Sequence, residues 1–397
     1  MAGLYVHIPF CKSRCIYCDF YSTTREAEMD RYADALCQEI RSRSDEAAGT
    51  RVRTIYIGGG TPSLLSSSQL GRILQCIRSC YDLEAEVELT VEMNPEDVVV
   101  PPPHSSSVGG FKFSDLLADG SFSPLLGARG GLRISLGIQT FDDELLRLLQ
   151  RRHAGQRALE AVGILQQAGI SNISIDLIYG LPGQTMQQWE HDLDIAFALG
   201  IQHLSAYALS YEEGTRLWQM RLCGQVHEAG DELAVAMYQR LCQRAREAGF
   251  EHYEISNFAQ PGFHSRHNSS YWTGVPYLGF GPGAHSFDGR RTRRSNRRNM
   301  DDYLRAWNCG AALRLADFEE LTDDECYDEA VMCGLRTRRG IDLQGIGRRF
   351  GQQRLDYLLQ MARPHLLGGR LRQSAGHLQP DEYAWMVSDD VMSDLMA

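Results

Sequence analysis

The chain has 397 residues, enough for two or three domains, and its 43% apolar and 23% charged residues are those of an ordinary soluble globular protein. A net charge of −11 argues against general nucleic-acid binding, and no uncharged apolar run is long enough to cross a bilayer. Eleven cysteines in no framework spacing, with the first strand beginning by Leu4, predict a chain without a cleavable leader in a reducing, cytoplasmic setting.

The first predicted strand is Leu4–Ile8. Directly after it come Cys11, Cys15 and Cys18, spaced C-x3-C-x2-C. Three thiolates can hold three irons of a [4Fe-4S] cube and leave the fourth open to a ligand. Zinc is the second reading; His7 could complete it, but no second ligand pair follows. Three core thiols is the third reading, with Lys12 and Arg14 against it. Next, Met29, Tyr32, Ala33, Leu36, Cys37 and Ile40 recur at helical spacing. A second strand, Thr54–Ile57, runs into Gly58-Gly59-Gly60-Thr61-Pro62, a turn whose glycines permit close approach and whose amides can meet an anion. The third, Val87–Val91, ends in Glu92. Residues 101–131 break the rhythm with Pro, Ser and Gly runs, read as a surface insertion or a lid, with a short helix near Phe113–Ala118. The fourth strand, Arg133–Ile138, ends in Gln139, and Arg151 follows, placed to pair with a carboxylate. The fifth, Ile173–Ile178, carries Asp176, and His203–Leu209 is the sixth.

Strands rich in Val, Ile and Tyr, alternating with amphipathic helices, predict a parallel sheet with helices outside. Six such units make an incomplete, three-quarter β/α barrel, in which polar groups at the carboxyl ends of strands read as functional. That unit is taken as residues 1–285. Residues 286–397 read as a smaller, mainly helical accessory domain with a small hairpin and no catalytic constellation; Arg336–Arg339 and Asp342 are expected at its surface. At 290–298, six arginines in nine positions read as a solvated loop, or as a site for an anionic ligand or partner.

These residues resemble a known family. Leu4-Tyr-Val-His-Ile-Pro-Phe-Cys11, Tyr56-Ile-Gly-Gly-Gly-Thr-Pro62, Thr90-Val-Glu-Met-Asn-Pro95, Ser135-Leu-Gly-Ile-Gln139, Ile175-Asp-Leu-Ile-Tyr-Gly-Leu-Pro-Gly183, Tyr253-Glu-Ile-Ser-Asn-Phe258, His267-Asn-Ser-Ser-Tyr-Trp272 and Gly281-Pro-Gly-Ala-His-Ser286 are similar to radical S-adenosylmethionine (SAM) proteins related to oxygen-independent coproporphyrinogen III oxidase, and most to the HemW-type heme chaperones. The resemblance implies a [4Fe-4S] cluster on Cys11, Cys15 and Cys18, and SAM chelating the open iron. Tyr5, Gly59, Gly60, Thr61, Glu92, Gln139, Arg151 and Asp176 would hold the rest of SAM, whose S–C5′ bond the reduced cluster cleaves.

The oxidase-type motif has a fourth cysteine two residues past the third; here that position is Phe20. His267 to Trp272 resembles the HNxxYW motif of the chaperones and implies heme, with His267 as its ligand and His264 and His285 as rivals. The function so implied is heme delivery to an acceptor protein such as a membrane respiratory enzyme. The alternatives are coproporphyrinogen III decarboxylation or another radical SAM reaction, for instance a methyl transfer.

Overall fold

The computed structural model describes residues 1–99, 131–310 and 314–397. Six strands lie side by side in chain order, each parallel to the next: β1 (Ala2–Ile8), β2 (Val52–Gly59), β3 (Leu83–Met93), β4 (Leu132–Gln139), β5 (Ile173–Tyr179) and β6 (His203–Ala208). Parallel neighbours need crossovers, and helices Met29–Ser42, Ser67–Cys80, Gly155–Gln167 and Met186–Ala198 supply four of the five. The parallel α/β core expected from the sequence is therefore present. The helix read from Met29 to Ile40 runs to Ser42 and buries all six residues of its apolar stripe.

Both edges of the parallel core are extended. At the β6 edge, β7 (Glu251–Glu254) and β8 (Asn257–Ala259) add antiparallel, with β8 next to β6. At the other edge β9 (Tyr277–Phe280) pairs parallel with β1, and β10 (His285–Phe287), β11 (Thr292–Asn296) and β12 (Ala316–Glu320) follow as an antiparallel meander. The division expected at 285/286 falls inside β10. A second apolar cluster, including Tyr327, Val331, Leu335, Ile346 and Leu358, lies under helices Asp323–Leu335, Leu343–Phe350, Gln352–Leu367 and Ser388–Leu395. It also packs on a small sheet of β13 (Ile341–Asp342), β14 (Leu371–Ser374) and β15 (His377–Pro380), in which β14 and β15 form the hairpin. The helix near Phe113–Ala118 and the lid reading of 101–131 fall outside the described residues.

Strand alternation decides where the polar residues go. Leu4, Val6, Ile8, Ile55, Ile57, Leu89, Val91, Ile134, Leu136, Ile175 and Leu177 are buried in one continuous apolar cluster with the crossover helices. The intervening positions are polar and equally buried: Thr54, Glu88, Thr90, Arg133, Ser135, Ser174, His203 and Ser205. The interior of the sheet is thus built for ligands and hydrogen bonds rather than for apolar packing.

Candidate functional site

Where β1 to β6 end, a cavity of about 540 Å³ opens. Its lining includes Cys11, Cys15, Cys18, Gly59, Gly60, Thr61, Glu92, Gln139, Arg151 and Asp176. Ten of the residues read from the sequence thus meet in one place. Tyr5 and His267 stand outside this lining. The Tyr5 hydroxyl meets His7 Nδ1 at 3.0 Å, and its ring lies 6.1 Å from that of Tyr56.

The cysteine loop is pinned from below. Ile16 is fully enclosed; its N–H donates to Leu149 O at 3.4 Å and its carbonyl accepts from Leu217 N at 2.8 Å. The amides of the glycine turn have partners within the chain. Gly59 N donates to Glu92 Oε2 (2.9 Å), Gly60 N to Ile8 O (2.8 Å) and Thr61 N to Phe10 O (2.7 Å), so these amides hold the cysteine loop and a carboxylate. Glycine is needed because a Cβ at Gly60 would sit 2.7 Å from Phe10 O and 3.0 Å from Cys11 Sγ. At Gly59, φ is +112° and a Cβ would lie 2.4 Å from the His7 ring.

One hydrogen-bonded chain joins two of the cysteines. Thr61 Oγ1 donates to Cys11 Sγ (3.6 Å) and accepts from Asn94 Nδ2 (3.1 Å); Asn94 Oδ1 accepts from Arg151 Nη2 (2.7 Å), and Arg151 Nη1 donates to Cys15 Sγ (3.3 Å). Arg151 Nη2 also reaches Gly137 O at 2.6 Å. Asn94 was missed as a site residue, although it stands two positions past Glu92. Arg133 was missed too: it begins the fourth run, and only the alternation Arg133, Ser135, Gly137, Gln139 marks it as inward-facing. Gln139 holds φ at +74° beside a register shift in the β4–β5 pairing, a strained backbone for a non-glycine residue at a cavity wall.

Burial sets the electrostatics. It raises the Glu92 carboxyl, against the hydrogen bonds from Tyr56 (2.6 Å) and Gly59 that favour its ionised form. It also raises Asp176, opposed by Ser205, Arg133 and Ser135. Burial pushes the Cys11 thiol up and Cys18 to about 11, so both are protonated at neutral pH unless a metal displaces the proton. Arg133 is 1% exposed, with one nitrogen 3.0 Å from His203 Nδ1 and Nε and Nη1 unpartnered; Arg151 Nε is unpartnered as well. Phe20, at the position expected to decide the subfamily, is 62% exposed and lines the cavity.

His267 lies in the helix Arg266–Trp272, buried beneath the parallel strands. Its Nδ1 meets Thr54 Oγ1 at 2.8 Å, its Nε2 meets the Tyr271 hydroxyl at 2.9 Å, and its ring stacks on Tyr56 at 5.0 Å. Burial, helped by Arg133, pushes its pKa down to about 3. Both ring nitrogens are therefore occupied. Of its rivals, His264 is paired with Glu251 at 2.7 Å and stacked on Tyr253, and His285 is exposed.

The arginine-rich segment forms β11 and its flanks. Arg291 pairs with Asp323, Arg293 with Glu329 (2.7 Å), Arg294 with Glu46 (3.3 Å) and Arg297 with Asp317 (3.1 Å). Carboxylates of the same chain already meet these guanidinium groups.

Comparison with known proteins agrees with this geometry. Residues 5–196 match the Radical SAM superfamily and residues 321–387 the HemN C-terminal domain. Coproporphyrinogen III oxidase (HemN) from Escherichia coli superposes with a TM-score of 0.79 at 22% identity, covering 100% of this chain and 90% of that one, which shows the fold. The heme chaperone HemW of Mycobacterium tuberculosis is 34% identical over 350 residues, 87% of this chain and 84% of its own. That of Lactococcus lactis is 35% identical over 347 residues, again 87% and 84%. Identity at this level, sustained over most of both chains, places the protein in the HemW heme chaperone family of the radical SAM superfamily.

Proposed function

We propose that the protein binds a [4Fe-4S] cluster, SAM and heme, and hands heme to an acceptor protein, a membrane respiratory enzyme being the chemical type favoured. The observation that carries the heme part is a second cavity, of about 580 Å³, between the helix Arg266–Trp272, β9 to β11 and the C-terminal helices. Tyr271, Trp272, Tyr277 and Phe287 line it together with Arg293, Arg339 and Arg349. Aromatic faces suit a flat porphyrin, and the Arg339 and Arg349 forks suit its propionates, Arg293 being already paired with Glu329 at 2.7 Å.

The residues of the first cavity fit the cluster and SAM. Three thiols face one space with few donors committed to them, Gly60 lets the backbone approach Cys11, and buried guanidinium nitrogens of Arg151 and Arg133 await an acceptor. Cys11, Cys15 and Cys18 would hold the cluster. Glu92 and Asp176 would accept from the ammonium and ribose of SAM, and Arg151 would donate to its carboxylate. When bound, cluster and SAM supply one-electron cleavage chemistry. The chain's own part is to orient SAM between Arg151 and Glu92 and to keep water from the cluster face. All eleven cysteines are free, in keeping with a reducing cytoplasm. Among the described residues no helix is long and apolar enough to cross a membrane.

His267 can ligate heme iron through Nε2 only by giving up the Tyr271 hydroxyl, so the geometry favours a supporting role behind Tyr271 and Tyr56. The test is an anaerobic heme titration of the cluster-reconstituted protein, followed by the Soret band. Saturation near one heme per chain, weakened in Trp272→Ala and Arg349→Ala, is the expected result; absent or unsaturable binding overturns the reading. His267→Ala, His264→Ala and His285→Ala, titrated in parallel, identify any histidine ligand. Oxidation of coproporphyrinogen III by the reduced, SAM-loaded protein is expected to be nil, since Phe20 replaces the oxidase cysteine.

A further inference from the structure

Away from both cavities, three potential ligand atoms converge: Cys242 Sγ, His252 Nδ1 and a Glu382 carboxylate oxygen all lie within 4.8 Å of one another. Cys242 sits on the helix Asp231–Glu247, His252 on β7, and Glu382 opens the 3-10 helix Glu382–Val387, more than a hundred residues later. Nδ1 is 3.8 Å from Sγ and 3.3 Å from Oε1. Zinc bonds of about 2.3 Å to sulfur and 2.0–2.2 Å to nitrogen and oxygen, at tetrahedral angles, require ligand–ligand edges of roughly 3.4–3.6 Å. The two edges to His252 thus stand close to the required separations before any ion enters, and the sulfur–carboxylate edge lies within 4.8 Å.

The surrounding groups are those a metal site needs. His252 Nε2 lies 3.4 Å from Ile255 O, the backbone acceptor that fixes a ligating imidazole with its other nitrogen toward the metal. The ring is held flat against Phe258 at 4.1 Å and edge-on to Trp385 at 4.3 Å. The second carboxylate oxygen of Glu382 is paired with Arg246, which aims the first inward. Cys242 and His252 are 1% and 5% exposed, so ligands and ion would be shielded from competing water. A thiolate in the set disfavours magnesium and calcium, and a mixed S, N, O set with one position left for water suits zinc.

We propose that Cys242, His252 and Glu382 bind a zinc ion that ties the Glu382–Val387 turn to the edge strand β7. The site shares no residue with the cluster cavity. The test starts from the cluster-reconstituted protein, incubated with Zn(II) and desalted; zinc and iron are then counted and the zinc K-edge is measured. The expected result is one zinc per chain with a single sulfur neighbour. Cys242→Ser and Glu382→Gln should retain zinc at least about tenfold more weakly with iron content unchanged. Zinc should also raise the thermal midpoint of the parent and not that of either variant. Absence of retained zinc, a three-sulfur shell marking misloaded cluster cysteines, or equal retention by both variants overturns the proposal. Glu382 is partly exposed and spares the core, so Glu382→Gln decides the matter if Cys242→Ser folds poorly.

Discussion

Arg151 touches a cysteine sulfur, a backbone carbonyl and Asn94 at once, and one nitrogen is still unpartnered. Arg151→Ala removes charge-assisted bonds worth about 1.5–3 kcal/mol. SAM affinity of the cluster-loaded protein, measured calorimetrically, should fall roughly 10- to 100-fold. Asn94→Ala should weaken it less, since it acts by holding Arg151 and Thr61. Gly59→Ala meets the His7 ring at a φ that disfavours a side chain, and should cost about 2–4 kcal/mol of stability by urea denaturation. Residues of this kind differ in how far the sequence discloses them. Glu92 and Gln139 could be read because each interrupts an apolar run at its carboxyl end. Arg133 is harder to read, because a charged residue at the start of a run looks like a solvent-facing boundary, and only its alternation with Ser135, Gly137 and Gln139 points inward. The engagement of both His267 nitrogens was equally hidden, since Thr54 lies far away in sequence.

Among the elements, the helix Met29–Ser42 carries a buried pair. Glu39 (1% exposed) meets Arg43 at 2.9 Å and also accepts from Gly281 N, Asn296 and Tyr303. Arg43 reaches Gly279 O and Ser286. The pair joins this helix to the loop after β9, to β11 and to the helix Met300–Cys309. Arg43 keeps Glu46, which takes its Nε and Nη2 at 2.8 Å each, but Glu39→Ala strips the Gly281 amide, Asn296 and Tyr303 of their buried acceptor and should destabilise by about 3–5 kcal/mol; a fall in the urea midpoint at unchanged slope is the readout. Glu39 gave no sequence signal beyond an acid on a helix. The parallel strands were legible because Val, Ile and Tyr concentrate in runs of strand length separated by helical patterns. β10 to β12 were not, because short, arginine-rich, half-exposed strands lack that pattern, and their partners Glu46 and Glu329 come from distant segments.

For the whole molecule, buried titratable groups set opposing pH trends. His7 and His267 are held neutral by burial, with pKa values of about 4 and about 3 against about 6.5 in an unfolded chain. The unfolded chain binds protons that the folded chain refuses, so their contribution is present above pH 6.5 and lost as pH falls through that window. Glu254, raised to about 7 by burial, works the other way: its contribution is present below about 4.5 and lost as pH rises through 7. His267→Gln should therefore reduce the loss of stability between pH 6.5 and 5 by about 2 kcal/mol, read from denaturation midpoints at the two values.

The contact between His267 and Tyr271 has a consequence for how the two cavities communicate. Tyr271 faces the second cavity; behind it stand His267, then Tyr56 in stacking contact, then Glu92, which takes the Tyr56 hydroxyl and faces the first. A ligand that displaces the Tyr271 hydroxyl loosens the support of a carboxylate in the other chamber. If the two chambers take SAM and heme as proposed, thermodynamic reciprocity fixes the outcome in both directions: the factor by which SAM alters heme affinity must equal the factor by which heme alters SAM affinity. Tyr271→Phe should bring both factors toward one, and two titrations, each run with and without the other ligand, measure them.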